Sequence, residues 1–290
     1  MRLREPTRED APAIAELLGK HSQALYGERD LAAATILDWF GLPEIWMRVA
    51  EDGGGPLGYA DLSEERGRWS IDLRALDPDA AGALLEAACE RAGAGALLRG
   101  YAPSVDELAT GAYRDRGFAI VRHSFQMRVE LTERPDPPEL SHGIVVRPMR
   151  EGEEERIHAA HMSAFADHWD FHEQTFEQWR HWQRDREFFD PTFWFLALDG
   201  DEIAGFALCA PHFSGEPDFG WVDLLGVRPQ WRRRGLGEAL LRHAFRALYV
   251  RGFTRIGLGV DAESTTGAVR LYERVGMRPV RRTDTWELRT

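Results

Sequence analysis

Lysine is nearly missing from this 290-residue chain: Lys20 is the only one, so arginine carries almost all the positive charge. Cysteine is scarce too, with only Cys89 and Cys209. They stand far apart in segments that read as buried, which fits two core thiols better than a disulfide or a nucleophile. No apolar run approaches the ~20 residues that span a bilayer, and no charged-then-apolar leader opens the chain. A cytoplasmic protein with no membrane partner is therefore expected. Positive charge as a whole is short, 36 basic against 48 acidic residues, a net charge of −12. That balance excludes a general nucleic-acid binder, which needs a cationic footprint to displace counterions. What the chain does have is apolar residues, 43% of the total. They are enough for a core in each of two ordinary domains.

The sharpest break in the chain lies at residues 132–142, where Pro135, Pro137 and Pro138 crowd together. Proline lacks a backbone donor and resists both helix and central strand, so this stretch reads as a linker between domains 1–131 and 143–290. After the linker the pattern predicts a strand, helices over 151–169 and 175–186, and strands over 192–198 and 203–210 joined by a turn at Asp199-Gly200-Asp201. A strand over 220–227, a helix over 235–251, a strand over 255–260, a helix over 266–275 and a closing strand pair over 278–288 follow. Before the linker the same order can be traced. It runs as a strand at 2–4, helices over 10–25 and 31–40, strands over 45–50, 57–62 and 69–76, a helix over 80–92, a strand over 96–101, a helix over 105–116 and a β segment over 118–131. Tyr113-Arg-Asp-Arg-Gly117-Phe118 matches Tyr272-Glu-Arg-Val-Gly276-Met277 at an offset of 159, each a helix end with glycine where the backbone turns left-handed. Two parallel element orders with matching ends predict an internal duplication.

The stretch that carries chemistry is WVDLLGVRPQWRRRGLGEALL, residues 221–241. A strand ends at Val227, Pro229 breaks it, and Arg232-Arg233-Arg234-Gly235-Leu236-Gly237 opens an amphipathic helix. The first turn of a helix leaves its N–H groups unpaired and partly positive. Gly235 and Gly237 are expected to let an anion approach those groups, and the three arginines add forked donors suited to phosphate. Strand, proline, arginines, glycines and helix in this order predict a phosphate cradle.

Arg232-x-x-Gly235-x-Gly237 resembles the [Gln/Arg]-x-x-Gly-x-[Gly/Ala] signature of the GNAT superfamily of acyl-CoA N-acyltransferases. Leu258–Gly276, with Leu271-Tyr272-Glu273 ahead of Gly276, is similar to a second signature of that family. Ser264 stands where asparagine is common and Met277 where an aromatic residue is usual. The resemblance covers the C-terminal half, and the duplicated layout looks like tandem GNAT proteins. It implies an α/β (α+β) chain of two GNAT-like domains in tandem, each a mixed, mostly antiparallel twisted sheet flanked by helices. It also implies acetyl-CoA as cosubstrate, with no metal. The backbone of Leu225, Gly226 and Val227 would pair with the pantetheine arm, the 232–237 loop would hold the pyrophosphate, and Ser264 would contribute at the far end.

An alkylamine near pKa ~10.4 is almost wholly protonated at neutral pH, so acyl transfer to it needs a proton acceptor, and the departing thiolate needs a donor. By the resemblance, Tyr272 is that donor. Many family members carry a glutamate at the position of Trp221. Asp223 lies two residues on, where strand alternation would put it on the same face, and is expected to serve instead, with Glu216 and Asp218 as rivals. The acceptor would meet the segment 165–182, above all Asp167, His168, Trp169 and Asp170, with Glu173 as a further acid and Phe171 and Trp179 as apolar walls. His168 and His172 lack a third ligand at firm spacing, so no metal is expected. The N-terminal half reads Leu76-Asp77-Pro78 where the second half has Val227-Arg228-Pro229, without the arginine-glycine loop. It is therefore expected to be a degenerate GNAT-like domain without a CoA cradle. The predicted function is transfer of an acetyl group to a primary amine of a small molecule, in a monomer or homodimer. A non-catalytic acyl-CoA binder and a protein N-terminal or lysine acetyltransferase are the alternatives.

Overall fold

The computed structural model describes residues 1–27, 36, 37, 39–41, 44–65, 67–140, 143–185, 189–211 and 216–290. Most of the helix expected over 31–40 falls outside the described residues. The chain forms two compact units, Met1–Ser124 with Arg281–Thr290, and Phe125–Val280. No helix among the described residues is long and apolar enough to cross a membrane.

Unit 1 contains β1 (Arg2–Arg4), α1 (Ala11–Tyr26), β2 (Trp46–Asp52), β3 (Gly55–Glu65), β4 (Arg68–Ala75), α2 (Pro78–Ala92), β5 (Leu97–Pro103), α3 (Glu107–Asp115) and the start of β6 (Ala119–Glu130). Its last strand comes from the other end of the chain. Residues 283–289 of β12 (Arg278–Arg289) run antiparallel to β5, from Thr283 opposite Pro103 to Arg289 opposite Leu97. β1 to β4 are antiparallel neighbours, and β4 and β5 are parallel. Strand residues alternate between faces. Met47, Val49 and Tyr59 accordingly pack under α1, while Ile71, Leu73 and Leu98 pack under α2 and α3.

Unit 2 repeats the plan with β7 (Ile144–Pro148), α4 (Glu154–Phe165), α5 (Phe176–Gln183), β8 (Trp194–Asp199), β9 (Glu202–Ala210), β10 (Phe219–Val227), α6 (Leu236–Val250), β11 (Arg255–Asp261) and α7 (Ala268–Arg274). The strand order is β6-β11-β10-β9-β8-β7, antiparallel from β7 to β10. β10 and β11 are parallel, and α6 supplies the crossover that parallel neighbours require. α6 covers one face with Leu240, Leu241 and Phe245 over Phe195 and Val222. α4 covers the other with Ile157 over Leu196, Phe206 and Leu208.

The expected tandem architecture is present: each unit is a mixed, mostly antiparallel sheet flanked by helices. Both helix-ending glycines, Gly117 and Gly276, have φ of 88°. The expected turn between β8 and β9 also forms, with Gly200 left-handed at φ 58°. Two features differ from the sequence reading. The closing strand pair is one strand, β12. The proline-rich stretch lies within unit 2, where the Pro135 carbonyl accepts a hydrogen bond from Arg246 at 2.6 Å.

Candidate active site and cofactor cradle

β10 and β11 pair only from Phe219–Arg255 to Val222–Leu258. Beyond that point β10 runs on to Val227 and β11 to Asp261, so the parallel pairing ends and opens a notch. A register shift against β9 between Val222 and Leu224 marks a bulge at Asp223. Bulges bend a strand and re-aim its side chains, and this one lies where β10 leaves β11. After the bulge, Arg228 N–H donates to the Ala204 carbonyl. Antiparallel alternation then turns the backbone groups of Gly226 toward β9 and those of Leu225 and Val227 toward the notch. Gly226 has its own steric requirement: a Cβ there would lie 2.3 Å from the Phe206 ring.

Past Val227, Pro229–Trp231 makes a single 3-10 turn, and Trp231 Nε1 donates to Asp199 at 2.8 Å. The loop then takes left-handed backbone twice, at Arg233 (φ 60°) and at Gly235 (φ 75°), and α6 begins. Gly235 is the N-cap residue and has no side chain to bond the first N–H groups. Ala239 N–H donates to the Gly235 carbonyl. Arg233 and Arg234 are exposed beside this helix start. Left-handed turns leading to an uncapped helix N-terminus form an anion seat. Gly237 has a packing role as well: a Cβ there would stand 3.3 Å from Leu271, so its absence lets α6 approach α7.

Arg232 departs from the expectation of a phosphate ligand. Its guanidinium bonds both carboxylate oxygens of Asp167, at 2.5 and 2.9 Å, and the Ala164 carbonyl at 2.9 Å. Its Nε donates to the Val227 carbonyl at 3.1 Å. One side chain thus fastens the end of α4 to the end of β10. The same pairing holds the Asp167 carboxyl below its usual range, so Asp167 is the partner of Arg232 rather than a free acceptor-binding acid.

His168 follows at once, its ring 4.3 Å from that of Phe165, and burial pushes its imidazole down. Trp169 is exposed, and Asp170 has left-handed backbone, φ 57°. His168, Trp169 and Asp170 thus stand on the α4–α5 loop, next to the fastened Asp167. Trp179 does not: it is fully buried among Phe176 and Trp194 and donates its Nε1 to His161 Nδ1 at 2.8 Å. It is core, not an apolar wall. Sequence reasoning missed His161, whose imidazole burial pushes down to about 4. Its position three residues before Ala164 on the apolar side of α4 was the available signal.

Among the carboxylates, Glu216 and Asp218 are held by Arg255, at 2.5 and 2.6 Å, which keeps Asp218 below its usual range. Asp223 does not share a face with Trp221 by the alternation expected, since the bulge between them breaks that parity. Burial in the layer under α6 pushes the Cys209 thiol up, and the charge of Asp223 adds to it. Tyr272 is buried in the same layer, and burial pushes its phenol up to about 12. It is a neutral O–H donor at any physiological pH. Ser264 Oγ lies 2.8 Å from Thr266 Oγ1 and accepts from Thr266 N–H at 3.4 Å. It closes the turn after β11, while Gly267 takes the N-cap position of α7. No group of three or more His, Cys, Asp or Glu suited to a metal occurs among the described residues.

The matching helix start in unit 1 is capped by a side chain. α2 starts directly at Pro78, and the Asp77 carboxylate accepts from Ala80 N–H at 2.9 Å. A carboxylate of the chain already occupies the position that an external anion would need.

The acetyltransferase (GNAT) family model matches residues 155–277. The mycothiol acetyltransferase of Thermobispora bispora is 35% identical over 201 residues, covering 67% of this chain and 66% of that protein. That of Nocardiopsis dassonvillei is 31% identical over 261 residues, covering 79% and 78%. A GCN5-related N-acetyltransferase from Sphaerobacter thermophilus superposes with a TM-score of 0.83 at 30% identity, over 99% of this chain and 95% of that one. The chain belongs to the GNAT acetyltransferase family. Several of the mycothiol acetyltransferase matches span only 51–66% of the relative's own length.

Proposed function

We propose that the chain is an N-acetyltransferase that moves an acetyl group from acetyl-CoA to a primary amine of a small molecule, by direct attack in a ternary complex. The observation that carries this reading is the notch between β10 and β11, which leads into an arginine-flanked helix start with no side-chain cap. Leu225 and Val227 would pair with the pantetheine amides as an added strand does. The 233–237 backbone, with Arg233 and Arg234, would take the pyrophosphate. Asp223 would accept the amine proton as the N–C bond forms. As the C–S bond breaks, Tyr272 would donate its proton to the thiolate. His168, Trp169 and Asp170 would face the acceptor. The name shared by the curated relatives, mycothiol acetyltransferase, supports a small-molecule acceptor over a protein one.

Thiol release from acetyl-CoA in the presence of small primary amines and of peptides tests the reading. Release that depends on a small amine, and that falls at least tenfold in kcat in Tyr272→Phe, is expected from loss of the donor (~10²–10⁴-fold for a general acid). Release with peptides alone would make the chain a protein acetyltransferase. Binding of acetyl-CoA with no release would make it a non-catalytic acyl-CoA binder.

A further inference from the structure

The helix start that forms the anion seat has a second helix beside it. Leu271 of α7 stands 3.3 Å from where a Cβ of Gly237 would lie, and Arg274 Nε donates to Glu238 at 3.4 Å. Residues three and four apart share one side of a helix, so Arg270 belongs with Leu271 and Arg274 on the side of α7 that meets the first turn of α6. Its guanidinium turns back along α7, as helical side chains do. Nη2 and Nε lie 3.5 and 3.8 Å from the Cβ position of Gly267, the N-cap residue.

Charge on this side of unit 2 is unequally matched. Arg232 is paired with Asp167, and Arg255 with Glu216 and Asp218. Glu238, the acid between the two helices, is shared by Arg242 at 3.1 Å and Arg274 at 3.4 Å. Those two, Arg242 first, hold its carboxyl below the usual range. Arg270 and Arg233 are exposed, and neither makes an ion pair or a side-chain hydrogen bond among the described residues. A cationic strip thus starts at Arg233 and Arg234 and continues past the seat to Arg270, in a chain whose net charge is −12. A guanidinium without a carboxylate keeps its whole fork of N–H donors for a phosphate.

The duplication supplies an independent observation. At the offset that matches Tyr113 to Tyr272, Gly111 stands in place of Arg270 and Asp115 in place of Arg274. The half whose helix start is capped by Asp77 therefore lacks the cations of the neighbouring helix as well. An acyl-CoA carries phosphate in two places, the pyrophosphate and a phosphate ester on the 3′ carbon of its ribose. Phosphate monoesters have a second ionisation near pH ~6, so the 3′ group is close to a dianion at neutral pH. We propose that Arg270 binds this 3′-phosphate and is the residue by which the chain distinguishes acetyl-CoA from 3′-dephospho-acetyl-CoA. The inference rests on the acyl-CoA reading of the seat: with the pyrophosphate at the start of α6, the nucleotide end lies beyond it, where α7 flanks α6. Arg274, engaged by Glu238 and by the Arg270 carbonyl at 3.2 Å, adds charge to the strip.

Calorimetric titration of the intact protein with acetyl-CoA and with 3′-dephospho-acetyl-CoA, at neutral pH and low salt, reads the assignment. Acetyl-CoA should bind about tenfold more tightly, the difference that a charge-assisted hydrogen bond makes at an exposed site. Arg270→Ala should bring acetyl-CoA down to the affinity of the dephospho form. Equal affinity of the two compounds for the wild type would overturn the assignment without recourse to a variant. So would a preference for acetyl-CoA that survives undiminished in Arg270→Ala. Either of those results leaves the acyl-CoA reading standing, whereas failure of both compounds to bind would overturn that reading and this assignment with it.

Discussion

At the scale of single residues, the loop that opens α6 depends on two left-handed positions, and only Gly235 fills its position without strain. Gly235→Ala should destabilise the fold by about 1–2 kcal/mol, the penalty of left-handed backbone for an L-residue, and weaken acetyl-CoA binding in the same calorimetric cell. The Arg232–Asp167 pair is partly exposed, so Asp167→Ala should lower unfolding stability by less than about 1 kcal/mol. Its effect should appear instead as weaker acetyl-CoA binding, because Arg232 then no longer fixes the Val227 carbonyl. His161 gives a pH signature. Its folded pKa, about 4, lies below the ordinary 6.5, so as pH falls through that window the unfolded chain takes up a proton that the folded one refuses. Stability should decline from pH 6.5 to about 4, by up to roughly 3 kcal/mol from this group, and no further below. His161→Gln keeps an acceptor for the Trp179 indole and should flatten that part of the melting-temperature profile relative to wild type. A profile of unchanged slope would contradict the assignment. At this scale the sequence was a partial guide. Arg232 was conspicuous in the motif, yet which way it faces is set by Asp167, a distant partner that no local pattern announces.

At the scale of elements, the useful object is the point where a parallel pair comes apart. Leu225 and Val227 present their backbone groups to the notch while Gly226 bonds β9. Hydrogen exchange should therefore find the Leu225 and Val227 amides less protected than that of Gly226, and acetyl-CoA should slow the first two. Equal protection of all three would contradict the open edge. Gly226→Ala would drive a Cβ into the Phe206 ring, which His161 and Phe165 box in, and should destabilise unit 2 by about 1–3 kcal/mol in urea denaturation. The helices and strands themselves were legible, since apolar periodicity and the glycines at 117, 200 and 276 mark them locally. The bulge at Asp223 was not. It appears only when β10 is laid against β9, and it overturns a face assignment made by counting in twos.

For the whole molecule, the duplication was readable from two matched element orders, and the difference between the halves from an arginine-glycine loop present in one and missing in the other. The fate of the last ten residues, 281–290, was not readable. Strand patterns specify faces but not partners, and β12 finds β5 across most of the chain's length. On the function proposed above, one half has an open anion seat and the other has filled its own with Asp77. A calorimetric titration of the intact protein with acetyl-CoA tests that claim most directly. One site per chain is expected, lost or greatly weakened in Gly235→Ala and retained in Asp77→Asn. Two sites per chain, or none, would contradict it.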